Sequence, residues 1–142
     1  LSSVANEEGL YRIRFEKMGS GFIFINDKPG IQFSADMNNV SLEGPVFNSP
    51  ANAALKGLLI DIEAERIKAM AANALIDSLQ KNKASDSALT AAGLQFRELH
   101  QKFSNYILKY VDSSKYPVVT MQISSGYHDG TGLYRWNRSC FA

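Results

Sequence analysis

An α+β protein is what this sequence predicts: a small antiparallel β-sheet followed by a long antiparallel two-helix hairpin and an irregular C-terminal tail. Three observations carry that expectation. Short segments within residues 9–47 alternate apolar and polar residues with period two, separated by turn formers. An alanine-rich stretch then runs from Pro50 to about Asn82, with no glycine after Gly57. Beyond it, Leu89, Phe96, Phe103 and Tyr110 recur every seven residues. Period two buries one face of a strand, and a seven-residue apolar repeat lines one face of a helix. The 142 residues are expected to make one domain, with a β-rich part at 9–47, a helical part at 49–112 and a junction and tail at 113–142.

In "GLYRIRF" Tyr11, Ile13 and Phe15 alternate with Arg12 and Arg14, the pattern of a half-buried strand. "GSG" at 19–21 marks a turn, and "FIFI" follows as a short buried strand. "NDKPG" at 26–30 assembles four turn-forming residue types. Ile31, Phe33 and Ala35 alternate next, and after "DMNN" Val40 and Leu42 do the same. Four short strands at this spacing imply one antiparallel sheet with a covered face. Tyr11, Ile13, Phe15, Phe22, Phe24, Ile31, Phe33 and Leu42 are the expected core.

Gly44-Pro45 should end sheet pairing, because proline donates no ladder hydrogen bond. Ser49 has the side chain of an N-cap, and Pro50 fits the first helical position. Leu55, Leu58, Leu59 and Ile62 form an apolar stripe, resumed by Ile67, Met70, Ala74, Leu75, Ile76 and Leu79. A straight helix of that extent would be about 48 Å long, so it should either project from the sheet or break near "EAERIK". "NKASDS" at 82–87 is a polar connection suited to a helical hairpin. In the second helix Ala92, Leu99 and Tyr106 interleave with the seven-residue repeat, and Ile107 and Val111 widen the seam. An intramolecular hairpin is favoured, with a dimer seam as the alternative. "DSSKYP" ends that helix before Pro117. "VVTMQI" locally favours strand, and the remaining tail has no period.

A net charge of +1 supplies no global field, so neither nucleic acid nor an anionic membrane is an expected partner. Apolar runs are too short for a membrane span. Cys140 is the single cysteine, which excludes an internal disulfide, a Cys-x-x-Cys pair and a cysteine zinc site. The chain opens on Leu1, and a secretory leader is not expected within it.

No catalytic, cofactor-binding or metal-binding residue is expected. His100 and His128 are the two histidines, and His100 lies on the edge of the helical seam, where packing explains it. Asp61, Glu63 and Glu65 lie two apart and do not share a helical face; Glu63–Arg66, Glu65–Lys68 and Glu98–Lys102 read as surface pairs. "HDGTG" at 128–132 is similar to the phosphate loops of sugar-kinase-like ATPases, but a turn explains it better in so short a setting. Tyr134, Arg135, Trp136 and Arg138 could stack on bases, a weak signal on a near-neutral chain. Asn39-Val40-Ser41 and Asn137-Arg138-Ser139 match the glycosylation sequon. No serine sits in a nucleophile elbow, and Cys140 reads as a bland thiol.

The order of segments around "GPVFNSPAN" resembles the N-terminal domain of unknown function that precedes thioredoxin-like domains in Bacteroidetes envelope proteins. In that family a β-rich part ends in a Gly-Ser-x-x-Asn-like turn and enters a long helical hairpin. A Pro-x-Ser-x-Val-like junction follows. The counterparts here are "EGPVFNSPANAAL", the hairpin and "YVDSSKYPVVTM", covering about residues 9–122. The resemblance implies a non-catalytic, extracytoplasmic accessory or interaction module of the periplasm or cell surface, with a thioredoxin-like domain or another envelope protein as partner. It also implies helix over Pro117–Ser124, against the local strand propensity. The family's redox activity belongs to a separate domain and does not carry over to Cys140. The tail from residue 123 fits neither the family nor any pattern, so the natural domain is expected to end differently. Two other readings stand beside this one: self-association through the hairpin as a homo-oligomer, and, more remotely, a phosphoryl-binding enzyme working through residues 128–132.

Overall fold

Four strands and three helices follow one another along the part of the chain that the computed structural model describes, residues 7–14, 21–36, 38 and 41–126. They are β1 (Gly9–Arg14), β2 (Gly21–Asn26), β3 (Phe33–Ser34), β4 (Val46–Phe47), α1 (Pro50–Lys81), α2 (Asp86–Ser113) and α3 (Pro117–Gly126). The fold is α+β. It divides into two compact units, one of residues up to Ile60 and from Ser114 onward, the other Asp61–Ser113. Helix α1 contributes residues to both.

In the first unit β1 and β2 pair antiparallel, with Tyr11 opposite Phe24 and Ile13 opposite Phe22. The expected single four-stranded sheet is instead two two-stranded sheets, because β3 pairs only with β4, Phe33 opposite Phe47. The fourth strand lies later than the Val40–Leu42 alternation suggests. Gly44 N–H closes a turn onto Ser41 C=O at 3.1 Å, and Asn48 N–H bonds Gln32 C=O at 3.0 Å, which sets the β3–β4 register. A local turn and one long-range bond thus outweigh the alternation. Pairing resumes at Val46, directly after Pro45, rather than ending at Gly44-Pro45. Phe15 and Val40, and most of the 19–21 turn, lie outside the described residues. The turn at 26–30 is present, with Gly30 at φ 75°, a conformation open to glycine at little steric cost.

Aromatic rings join the two sheets. Tyr11 meets Phe24, Phe24 stacks on Phe47, Phe47 on Phe33, and Phe33 meets Phe22, with centroids 5.6 to 6.3 Å apart. Such offset pairs add about 0.5–1.5 kcal/mol each beyond the area they bury. Of the expected core, Phe22 is buried while Tyr11, Ile13, Phe24, Ile31, Phe33 and Leu42 are half-buried. The most enclosed apolar residues of this unit are Ile25, Ala51, Leu55, Leu58 and Val119. Val119 belongs to α3, so Pro117 opens a helix rather than a strand. Burial of one apolar face prevails there over β-branched propensity.

In the second unit α1 continues unbroken through "EAERIK" to Lys81, so of the two alternatives the break does not occur. Lys83 follows in the left-handed region at φ 50°, its N–H bonded to Gln80 C=O, while Ala84 N–H reaches Leu79 C=O at 2.9 Å. This is a Schellman ending, with lysine where glycine is usual. Ser85 then caps α2, its Oγ accepting the Ala88 N–H at 3.3 Å. Along α2, Ala92 and Ile107 are buried, and Leu89, Phe96, Leu99, Phe103, Tyr106 and Tyr110 are half-buried, so the seven-residue seam is used inside the hairpin. Among the described residues no helix is long and apolar enough to cross a membrane.

Candidate functional site

The residues around "NSPAN" carry a cluster of polar contacts in the first unit. Ser49 is 2% exposed; its Oγ accepts the Asn52 N–H at 3.2 Å, as an N-cap does, and donates to the Asp27 carboxylate at 2.9 Å. Asn52, equally buried, accepts the Ile25 N–H at 2.7 Å and donates to the Ile25 C=O at 2.8 Å. Its amide thereby does for β2 what a neighbouring strand would, satisfying both backbone groups at once. Asn48 repeats the device: its Oδ1 accepts the Gln32 N–H at 2.9 Å and its amide reaches the Gly30 C=O at 3.3 Å. Lys56 donates to the carbonyls of Glu43 and Pro45. Each of these side chains is hydrogen-bonded to backbone or, for Asp27, to the capping Ser49 hydroxyl.

His100 packs edge-on against Phe96 with ring centroids 4.5 Å apart, and its Nε2 is enclosed without a hydrogen-bond partner. Asp61 accepts the Tyr106 hydroxyl at 2.5 Å. Burial, then that hydrogen bond, raises the Tyr106 pKa well above the usual phenol range. Two of the three expected surface pairs form. Arg66 pairs with Glu63 at 2.6 Å, and the hydrogen bond holds Glu63 below its ordinary pKa. Lys68 pairs with Glu65 at 2.5 Å, whereas Glu98 and Lys102 form no ion pair. No group of three or more His, Cys, Asp or Glu residues that could hold a metal occurs among the described residues. The "HDGTG" loop, His128, Cys140, the Tyr134–Arg138 cluster and both sequon asparagines lie outside them.

Exposed apolar side chains occur in both units: Val46 and Met121 in the first are 60% and 71% exposed, and the second carries five more along its two helices. Ile67, Met70 and Leu75 on α1 are 57%, 58% and 47% exposed, and Leu94 and Leu108 on α2 are 49% and 59% exposed. Only Ile62, Ala92 and Ile107 are fully buried there among the described apolar side chains. An open groove of about 360 Å³ runs beside Leu75, floored by Ala72, Ala92 and Leu99, with Gln95, Glu98 and Lys102 completing its wall. The sequence reading merged Ile67, Met70, Ala74 and Leu75 with the packed stripe. They instead form a second, outward face. The signal was present in the spacing: Ile62, Ala69, Ala72, Ile76 and Leu79 follow one three-and-four rhythm, and Ala64, Ile67, Ala71, Ala74 and Ser78 follow another, offset by two residues.

Compared with known proteins, the chain matches no family model, no curated protein and no solved structure.

Proposed function

We propose that this chain is a non-catalytic interaction module whose helical hairpin presents an apolar docking surface to a protein partner. The observation that carries the reading is the set of five large apolar side chains on Asp61–Ser113, each roughly half exposed or more. Exposed apolar surface costs solubility, and where such residues recur along one helix face, as on α1, they suit contact with another molecule. The resemblance to domains that precede thioredoxin-like enzymes supplies the setting: an extracytoplasmic accessory role, positioning a partner at the cell envelope. Buried Ser49 and Asn52, with half-buried Asp27 beside them, support the same reading, because their polar atoms are engaged in the cap of α1 and the edge of β2.

A thiol–disulfide exchange assay on the purified chain checks the non-catalytic half of this reading. The expected outcome is no turnover above buffer; turnover abolished by Cys140→Ser would overturn it. Binding of an apolar dye should fall when Ile67, Met70 and Leu75 are changed together to serine, with helical circular dichroism unchanged.

A further inference from the structure

We propose that the outer face of α1, residues 64–78, docks a second copy of this chain, with the two α1 helices parallel and in register. The proposal rests on the interaction-module reading and names its partner. Ala64, Ile67, Ala71, Ala74 and Ser78 are exposed throughout, and their alternating spacing of three and four residues is the a/d rhythm of a coiled coil. With Ala64, Ala71 and Ser78 at a, and Ile67 and Ala74 at d, Glu63 and Met70 fall at g. Lys68 and Leu75 fall at e.

The flanking residues select the occupant. In a parallel pair, a g residue meets the e residue five positions further along the other helix. Glu63 then faces Lys68 of the second copy, and Met70 faces Leu75 of the second copy; two-fold symmetry repeats both contacts. Opposite charges meet, and apolar meets apolar. Antiparallel registers over the same turns lack this match. One sets Glu63 against Asp77 and Lys68 against itself, and the other sets Met70 against Asp77 and Lys68 against Leu75. A single arrangement thus accounts for the three large exposed apolar residues of α1 together with the charges beside them. Small residues at every a position let the axes approach closely. That approach lowers Met70 of the second copy toward Leu75 and the groove it lines. Glu63 and Lys68 already hold Arg66 and Glu65 on the surface, in exposed pairs that can extend into a four-charge network.

Sedimentation equilibrium of the full chain over a range of concentrations tests this. A dimer is expected, and Ala71→Glu should raise its dissociation constant by at least about 100-fold, since two carboxylates would confront each other in a desolvated layer. Glu63→Lys and Lys68→Glu should each raise it about five-fold, and the double reversal should restore it to within about two-fold. In a Cys140→Ser background, Ala74→Cys should cross-link to its own copy on oxidation, since a shared d layer brings the two α-carbons within about 6 Å. A strict monomer, a dimer indifferent to Ala71→Glu, or the absence of a cross-link at position 74 would each overturn the proposal. Should Ala71→Glu lose helicity, the charge reversal decides alone. None of these failures touches the non-catalytic reading, which stands or falls on the exchange assay.

Discussion

The two units differ in what they bury. Around the start of α1, polar side chains go inside: Ser49 and Asn52 are each 2% exposed, yet their hydrogen-bonding atoms are engaged. Along Asp61–Ser113 no polar side chain is fully buried among the described residues, and beside the packed seam Ile67, Met70 and Leu108 are each more than half exposed. A short two-stranded sheet has few ladder bonds of its own, so buried amides that substitute for a missing strand are worth their desolvation. Two long helices satisfy their backbones internally and make no such demand. Their sequence is therefore free to carry surface for something else. Buried polarity marks where the chain holds itself together, and the exposed apolar residues of α1 are the surface on which the proposed docking rests.

Substitutions can break or sharpen this contrast. The largest effect is expected from Asn52→Leu, which keeps the volume but strands the Ile25 N–H and C=O; a loss of about 3 kcal/mol should appear in urea denaturation. Gly21→Ala comes next. A methyl group there would overlap the Ile13 carbonyl oxygen across the β1–β2 pair, and thermal melting should show a loss of about 2 kcal/mol.

Tyr106 belongs to the other unit and responds to pH. Because its pKa is raised on folding, the folded chain keeps a proton that the unfolded chain releases. Its stabilisation is complete below about pH 10 and is lost as the pH rises further, so Tyr106→Phe should flatten the alkaline limb of a stability–pH curve relative to wild type. A smaller change, a gain of about 0.5 kcal/mol in the thermal midpoint analysis, is expected from Lys83→Gly, which relieves a left-handed lysine. Ile67→Ser should change the stability of the dilute chain by less than about 0.5 kcal/mol, the mirror image of Asn52→Leu.

Most of the helical architecture was legible from residue types alone. Ser49 and Pro50 announce the start of α1, the polar "NKASDS" connection marks the hairpin turn, and Pro117 marks the end of α2. Caps and breakers act within a few residues, so no distant contact is needed to read them. The β-rich part was legible in class but not in pairing. Val40 and Leu42 alternate convincingly, yet the bonds of Asn48 to Gln32 place the fourth strand at Val46–Phe47. The candidate surface was the least legible. Ile67 and Ile62 are alike as residues and differ only in whether something covers them.

By itself, then, the sequence determined the start of α1, the hairpin turn, the end of α2 and that both classes occur, because propensity, capping and turn chemistry are local. Tertiary structure decided which apolar face of α1 is covered, which strand pairs with which, and that Asn52 closes a sheet edge. Those outcomes depend on groups brought together from distant positions, such as Ile25 and Asn52, 27 residues apart. A period of seven states that a helix has a face, while only the fold states what lies against it.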